Sequence, residues 1–289
     1  MTKYGIADIG SNTIVLIIYE MEDQIPKMLF YRSTPAHLIQ YVKDGTMSQE
    51  GINNAFEILS EYARVLDEMN ISIRYAGITE PGRVSNRSEL LKRLQKTTFT
   101  VKALSGKEEA ECEYIGSKVF YPDIKEGLAF DVGGGSSELI AFSEGKMTDA
   151  VSLPVGCVRM ARLPEDTDAC EKMLKEYTDG NPSFAVQSDT LIGIGGTIRA
   201  AGILSSALFH TGHTLPVAIL ENVYKGLTEG KEEYISALRQ TIDPSRQPLL
   251  APGIHIILDI CRLFGTETIL VSETNVREGF LLKYVIGAE

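Results

Sequence analysis

The sequence predicts an α/β protein with mixed sheets, built from two related halves. Strands and helices alternate along the chain, which is the pattern of that class. A strand-turn-strand motif also occurs twice. Its first copy is Gly5-Ile6-Ala7-Asp8-Ile9-Gly10-Ser11-Asn12-Thr13, and its second runs from Leu128 through Asp131, Gly133, Gly134, Gly135, Ser136, Ser137 and Glu138 to Ile140. One constant offset aligns them, 131 − 8 = 123. Each copy is an apolar strand ending in Asp, a turn of small residues and a second apolar strand.

Residues 4–19, about 28–40 and 71–78 read as strands, being rich in β-branched and aromatic residues and bounded by turns. Thr46 to Gln49 can form a capping box, after which Ile52, Phe56, Leu59, Ala63 and Leu66 recur at helical spacing. A second box, Ser105-Gly106-Lys107-Glu108, opens another helix just before the second copy of the repeat. Glu108 is its reciprocal cap, whereas Glu109 has no capping duty and points away from it.

From residue 127 the pattern repeats, with strands near 128–132, 137–142 and 148–153 and a helix at about 166–178. Leu191 to Thr197 is a strand running into the glycine turn Gly195-Gly196. The helix from Ile198 to Leu208 then offers N-terminal N–H groups that favour an anion, although such turns also serve plain packing. A helix from about Pro252 to Leu263, a strand at 268–271 and a closing helix from Val276 to Val285 complete the chain. The boundary is expected near Tyr121-Pro122, giving lobes of 1–121, with 276–289 as a completing segment, and 122–275. No Pro-rich linker separates them, which favours two lobes closing on a shared cleft.

A chain of 289 residues, 44% hydrophobic and 23% charged, fits two globular domains. No 18-residue apolar run and no basic leader stand out, so the expected location is the cytoplasm, away from membranes. Cys112, Cys157, Cys170 and Cys261 lack zinc or disulfide spacing. His210 and His213 have no companion ligands nearby and read as structural or surface residues. A net charge of −11 argues against nucleic-acid binding. Arg83, Arg87, Lys92, Arg93 and Lys96 nevertheless fall within fourteen residues containing one acid, Glu89. Such a run is either a foothold for a polyanion or a solvated helix face.

Glycine lets backbone approach a ligand closely, so successive N–H groups can point at one anion. Ser11, Asn12, Ser136 and Ser137 add short donors beside the two turns. Asp8 and Asp131, where a strand runs into such a turn, can hold a metal ion against phosphate oxygens, directly or through water. A single Asp-x-Gly turn is equally a tight hairpin, and it is the repetition that points to function.

The ordered set Asp8-Ile-Gly-Ser-Asn12, Ser105 to Ala110, Asp131 to Glu138, Ser152 to Arg159, Gly193 to Thr197 and Val271 to Gly279 resembles the exopolyphosphatase and guanosine pentaphosphate phosphatase (Ppx/GppA) family in its short, two-domain form. The resemblance implies two ribonuclease-H-like lobes of the actin-like ATPase superfold around a central cleft. It implies magnesium-dependent (or manganese-dependent) hydrolysis of a terminal phosphoanhydride in inorganic polyphosphate or guanosine pentaphosphate, and by analogy alone it admits a homodimer.

The family's catalytic glutamates fall on Glu109 and Glu138, its metal-binding aspartate on Asp131 and its phosphate-contacting arginine on Arg83. The segment Gly77-Ile-Thr-Glu-Pro-Gly-Arg83 departs from the usual pattern. Asn275 stands where many relatives have glycine and Cys157 where alanine is common, both away from the expected chemistry.

On this basis Glu109 orients and deprotonates the water, and Glu138 supports the water or the metal. Asp131 and Glu138 hold the metal, with Asp8 contributing through water. Ser11, Asn12, Arg83, Gly133, Gly134, Gly135, Ser136, Ser137, Gly195, Gly196 and Thr197 bind phosphate. A kinase or ATPase of the same superfold and a non-catalytic sensor of guanosine polyphosphates or polyphosphate are the rival classes. The copies also differ: Glu138 in the second matches Val15 in the first, 138 − 123 = 15, which makes the Asp131 copy the hydrolytic one.

Overall fold

The computed structural model describes residues 2–23, 25–161 and 168–287. Residues 166 and 167 of the helix expected over 166–178, and 288 and 289 of the closing segment, lie outside the described residues. The chain forms two compact units, Met1–Glu109 with Phe280–Glu289, and Ala110–Gly279.

The first unit opens with an antiparallel meander of β1 (Lys3–Ile9), β2 (Thr13–Glu22) and β3 (Ile25–Pro35). A small hairpin of β4 (Val42–Lys43) and β5 (Thr46–Met47) leads into α1 (Gln49–Glu68). Next come β6 (Ile73–Ile78), α2 (Arg87–Leu94) and β7 (Thr100–Ala103). The sheet order is β3-β2-β1-β6-β7, with β6 parallel to β1 and β7 parallel to β6. Ile52, Ala55, Leu59, Tyr62 and Leu66 of α1 share one buried core with Ala7 and Ile9 of β1 and Ile14, Leu16 and Ile18 of β2. The cap of α1 is Ser48, whose side chain accepts from Gly51 N, and not Thr46 as the sequence suggested. Thr46 is instead held extended by pairing with Lys43 across the hairpin.

Helix α3 (Gly106–Phe120) begins in the first unit and runs into the second, the division falling between Glu109 and Ala110. The second unit continues with the meander β8 (Gly127–Val132), β9 (Ser137–Ser143) and β10 (Lys146–Leu153), then α4 (Cys157–Met160) and α5 (Asp168–Thr178). β11 (Thr190–Ile194) enters α6 (Gly195–Phe209) directly and is followed by β12 (Thr214–Pro216), α7 (Val217–Thr228) and α8 (Glu232–Thr241). The unit closes with α9 (Gln247–Phe264), β13 (Thr268–Val271) and α10 (Val276–Phe280), whose last residue opens the C-terminal segment of the first unit.

Its sheet order, β10-β9-β8-β11-β13, repeats that of the first unit and adds β12 at the edge. An antiparallel meander followed by parallel strands that return through helices is the ribonuclease-H-like lobe. Two such lobes in one chain are the actin-like ATPase superfold.

The repetition extends to single hydrogen bonds. Gly10 N donates to Thr13 O at 3.1 Å, and Gly133 N donates to Ser136 O at 2.9 Å. Thr79 Oγ1 donates to Ile9 O at 3.3 Å, and Thr197 Oγ1 donates to Val132 O at 2.5 Å. Gly10 and Gly133, Thr13 and Ser136, and Ile9 and Val132 are all related by the same offset of 123.

Contrary to the expectation that no such run exists, α9 is long and apolar enough to cross a membrane. Its side chains from Leu250 to Phe264 instead join Leu204 of α6 and Leu220 and Val223 of α7 in the core of the second unit. It is a core helix.

The capping box of α3 is formed as the sequence predicts, with Ser105 N donating to Glu108 Oε2 at 2.8 Å and Glu108 N to Ser105 Oγ at 3.2 Å. Lys102 Nζ pairs with Glu108 at 2.9 Å, and Tyr284 Oη donates to it at 3.3 Å. Burial alone would raise the Glu108 carboxyl, but the bonds from Ser105 and Lys102 outweigh it and hold the group at about 2. A carboxyl depressed on folding stabilises the protein above its ordinary range and loses that contribution as pH falls. Glu108→Ala is expected to lower stability at pH 7 by about 0.5–1 kcal/mol. In thermal melts the gap to wild type should close as pH falls from 4.5 toward about 2.

Candidate active site

Glu109 and Glu113 lie one turn apart on α3, so the helix carries both carboxylates on one face. Glu138 stands directly opposite Asp131 in the β8–β9 ladder and opposite Ser152 of β10, whose hydroxyl donates to Glu138 Oε1 at 2.7 Å. Carboxylate oxygens of Glu109, Glu113 and Glu138 lie within 4.8 Å of one another, and all three residues are buried. Among the described residues this is the one such grouping of acids, histidines or cysteines. Glu109 also pairs with Arg83, at the end of the short turn Glu80–Arg83. The structure therefore brings Arg83, Glu109 and Glu113 together along the start of α3.

Like charges this close repel by about 4 kcal/mol per pair at 4 Å and an effective dielectric of 20. Several buried acids therefore require a proton or a cation. Asp131 shares a hydrogen bond with Glu113, and burial followed by the charge of Glu138 pushes its carboxyl up to about 7. Its Oδ1 is buried without a hydrogen-bond partner. An orphaned carboxylate oxygen beside Glu113 and Glu138 is a donor set that a hard cation completes, so these residues fit a metal ion.

The glycine turn of the second unit is shaped from behind. Cys157 N and Val158 N at the start of α4 donate to Gly133 O and Gly134 O, both at 2.9 Å, and Arg159 Nε donates to Gly135 O at 2.7 Å. In a trans peptide the C=O and the following N–H point in opposite directions. Carbonyls held toward α4 thus aim the N–H groups of Gly134, Gly135 and Ser136 the other way, as an anion nest requires. Ser137 is committed elsewhere, its hydroxyl donating to Val155 O at 2.6 Å.

Gly195 closes the site from the next strand. Its φ is +88°, and a Cβ there would fall 2.1 Å from Asp131 Oδ1, so no other residue fits. A Cβ on Gly196 would fall 2.3 Å from Arg246 Nη1. Arg199 bridges Gly195 O, at 3.1 Å, and Glu273 O, at 2.9 Å. Its burial, then the charge of Arg277, with a contribution from Arg246, lowers its pKa. Mutually repelling cations beside a glycine turn suit an anion.

In the first unit, Ser11 Oγ donates to Glu80 Oε2 at 2.7 Å. Asn12 O accepts from Ala36 N and His37 N, both at 2.8 Å, and Asn12 Oδ1 meets His37 Nδ1 at 2.7 Å. Asp8 lies opposite Val15, as the offset requires. The basic run disperses: Arg93 stacks 3.8 Å over Phe56, Arg87 reaches Ala103 O at 3.5 Å, and Lys92 and Lys96 are exposed. His210 ends α6 with φ 59°, and His213 packs on Phe120, 3.4 Å from Glu273.

Four residues of the site were not singled out from sequence. Glu113 was signalled by its i+4 spacing from Glu109, and Arg277 by its place inside a recognised motif. Arg199 follows Thr197 by two residues, whereas Arg246, at the cap of α9, carried no signal.

The family model of the Ppx/GppA phosphatase family matches residues 17–286. The chain belongs to this family. Among curated relatives, exopolyphosphatase 1 of Mycobacterium tuberculosis is 23% identical, with 97% of this chain and 88% of that protein covered. A bifunctional 3-dehydroquinate synthase/phosphatase of Fusobacterium nucleatum is 25% identical over 96% of this chain, which spans 46% of that longer protein. The fold of this Ppx/GppA member matches an exopolyphosphatase structure from Cytophaga hutchinsonii with a TM-score of 0.85 at 22% identity, covering 100% of this chain and 99% of the other. It matches an Aquifex aeolicus PPX-GPPA enzyme with a TM-score of 0.77 at 23% identity, covering 98% and 99%.

The raised Asp131 carboxyl has a thermodynamic signature. A carboxyl raised on folding favours the folded state at low pH, and that contribution is lost as pH rises through about 7. Without divalent metal, Asp131→Asn is expected to melt above wild type at pH 8, with the difference shrinking toward pH 5. Equal melting temperatures across that range would refute the assignment.

Proposed function

We propose that this Ppx/GppA member hydrolyses the terminal phosphoanhydride of inorganic polyphosphate, releasing orthophosphate, and that guanosine pentaphosphate is a second substrate of the same chemistry. The observation that carries this is the acid cluster of α3 and β9, with Asp131 set against the arginine-flanked turn Gly195-Gly196. The names of the curated relatives favour polyphosphate.

Glu109 orients the attacking water and takes its proton, its carboxylate held in place by the pairing with Arg83 until substrate arrives. Water oxygen bonds to the terminal phosphorus as the bridging oxygen departs with the shortened chain. Glu138, fixed by Ser152, supports the water. Phosphate oxygens are met in the second unit by the N–H groups of Gly134, Gly135 and Ser136 in the Gly133–Ser137 turn, by Gly195, Gly196 and Thr197, and by Arg199, Arg246 and Arg277. Ser11, Asn12 and Arg83 are the corresponding ligands in the first unit. Glu113, Glu138 and Asp131 would hold Mg2+ or Mn2+, which when bound neutralises phosphate charge. Four buried cysteines without disulfide spacing suit a cytoplasmic setting.

The test is phosphate release with Mg2+ from long polyphosphate, short polyphosphate and guanosine pentaphosphate at equal terminal phosphate. Release from polyphosphate without any acceptor is expected. Glu109→Gln should lower kcat by about 10²- to 10⁴-fold and leave KM nearly unchanged. Unchanged kcat would remove Glu109 from the chemistry, and acceptor-dependent transfer from ATP would indicate a kinase.

A further inference from the structure

The Asn275 side chain is tied to its neighbours in the segment that opens α10. The backbone N–H of Asn275 donates to Glu278 Oε2 at 2.8 Å, and its Oδ1 accepts from Arg277 N at 3.0 Å and Arg277 Nε at 2.9 Å. The first two bonds are the capping box of α10. The third lies outside capping and fixes a side chain. Asn275 is 3% exposed, so water competes little for these bonds.

The backbone around it is anchored on two sides. Ser272 N donates to Gly193 O at 2.9 Å, and Arg199 ties Glu273 O to Gly195 O. On the other side, a Cβ on Gly116 of α3 would fall 2.2 Å from Asn275 O, so helix α3 packs directly on this residue. Asn275 therefore sits between the helix that carries Glu113 and the strand end that leads to Gly195.

A free arginine side chain loses about 2 kcal/mol of rotamer entropy when it grips a ligand. Holding Nε in advance removes part of that loss and sets the plane of the guanidinium fork. Glycine at this position would still permit a helix cap but would offer no oxygen to Nε.

We infer that Asn275 is a positioning residue that orients the Arg277 guanidinium toward substrate phosphate. The inference rests on the proposal above that Arg277 meets a phosphate group. Serine separates the two duties of the amide oxygen, because its hydroxyl caps α10 but is too short to serve Arg277 N and Nε together.

The experiment compares wild type, Asn275→Ser, Asn275→Gly, Arg277→Ala and the double variant Asn275→Ser with Arg277→Ala. Calorimetric Kd for inorganic tripolyphosphate, KM and kcat for phosphate release, and Tm are measured for each. Asn275→Ser is expected to keep the wild-type Tm and kcat while Kd and KM rise about three- to tenfold, the worth of one hydrogen bond. Asn275→Gly should show the same rise. In the double variant the serine should add nothing to the loss caused by Arg277→Ala.

If Asn275→Ser binds like wild type while Arg277→Ala binds weakly, Asn275 is a cap alone and the inference falls, with the role of Arg277 intact. Wild-type affinity in Arg277→Ala would overturn both the role of Arg277 and the inference. Failure of wild type to bind tripolyphosphate would do the same.

Discussion

The second unit is organised around repulsion among acids that its own fold forces together. Register places Glu138 opposite Asp131, and helix α3 brings Glu113 within hydrogen-bonding reach of Asp131. Burial makes each charge more costly and each repulsion stronger. Nothing in the apolar packing requires this arrangement, and a chain selected for stability alone would place Val or Leu there, as the first unit does at Val15. The surrounding devices make the cost tolerable: Ser152 on Glu138, the shared hydrogen bond on Asp131, and arginines whose charges lower the Asp131 carboxyl.

Duplication explains how such a site arises within an ordinary framework. Both units use the same strand order and the same turn hydrogen bonds, so the framework is older than the specialisation laid on it. The turns have diverged in chemistry. The Ser11-Asn12 turn is committed to partners of its own unit, Glu80 and His37, whereas the Gly133–Ser136 turn has its carbonyls drawn back by α4. Two turns whose side chains bond differently thus share one backbone plan.

Much of the fold was legible because local rules and tertiary demands agree. Strand 268–271 and the Ser105–Glu108 box were found where expected, since alternation and reciprocal capping are signals carried within a few residues. The cap of α1 was misplaced because Thr46 obeys a two-residue ladder that periodicity does not reveal. Helices α7 and α8 escaped notice in a stretch of mixed polarity whose apolar faces emerge only against α9 and α6 in the core of the second unit. At the site, Glu109, Asp131 and Glu138 lay in motifs, and Glu113 was one helical turn away. Arg246 was hidden for a different reason: it reaches Gly196 from about 50 positions downstream, and no local pattern encodes a meeting between distant loops.

The short helix α4 has an implication for how binding can change in this lineage. Its first amides and Arg159 hold three successive carbonyls, and the planar peptide turns that grip into the direction of three N–H groups on the other side. On the proposed reading, affinity for an anion is therefore governed by residues that never face one. A substitution at Cys157 or Val158 that shifts α4 slightly would tilt the nest as a unit, leaving every ligand-facing atom chemically unchanged. Selectivity in such a turn can drift through its rear support while the residues in front remain constant.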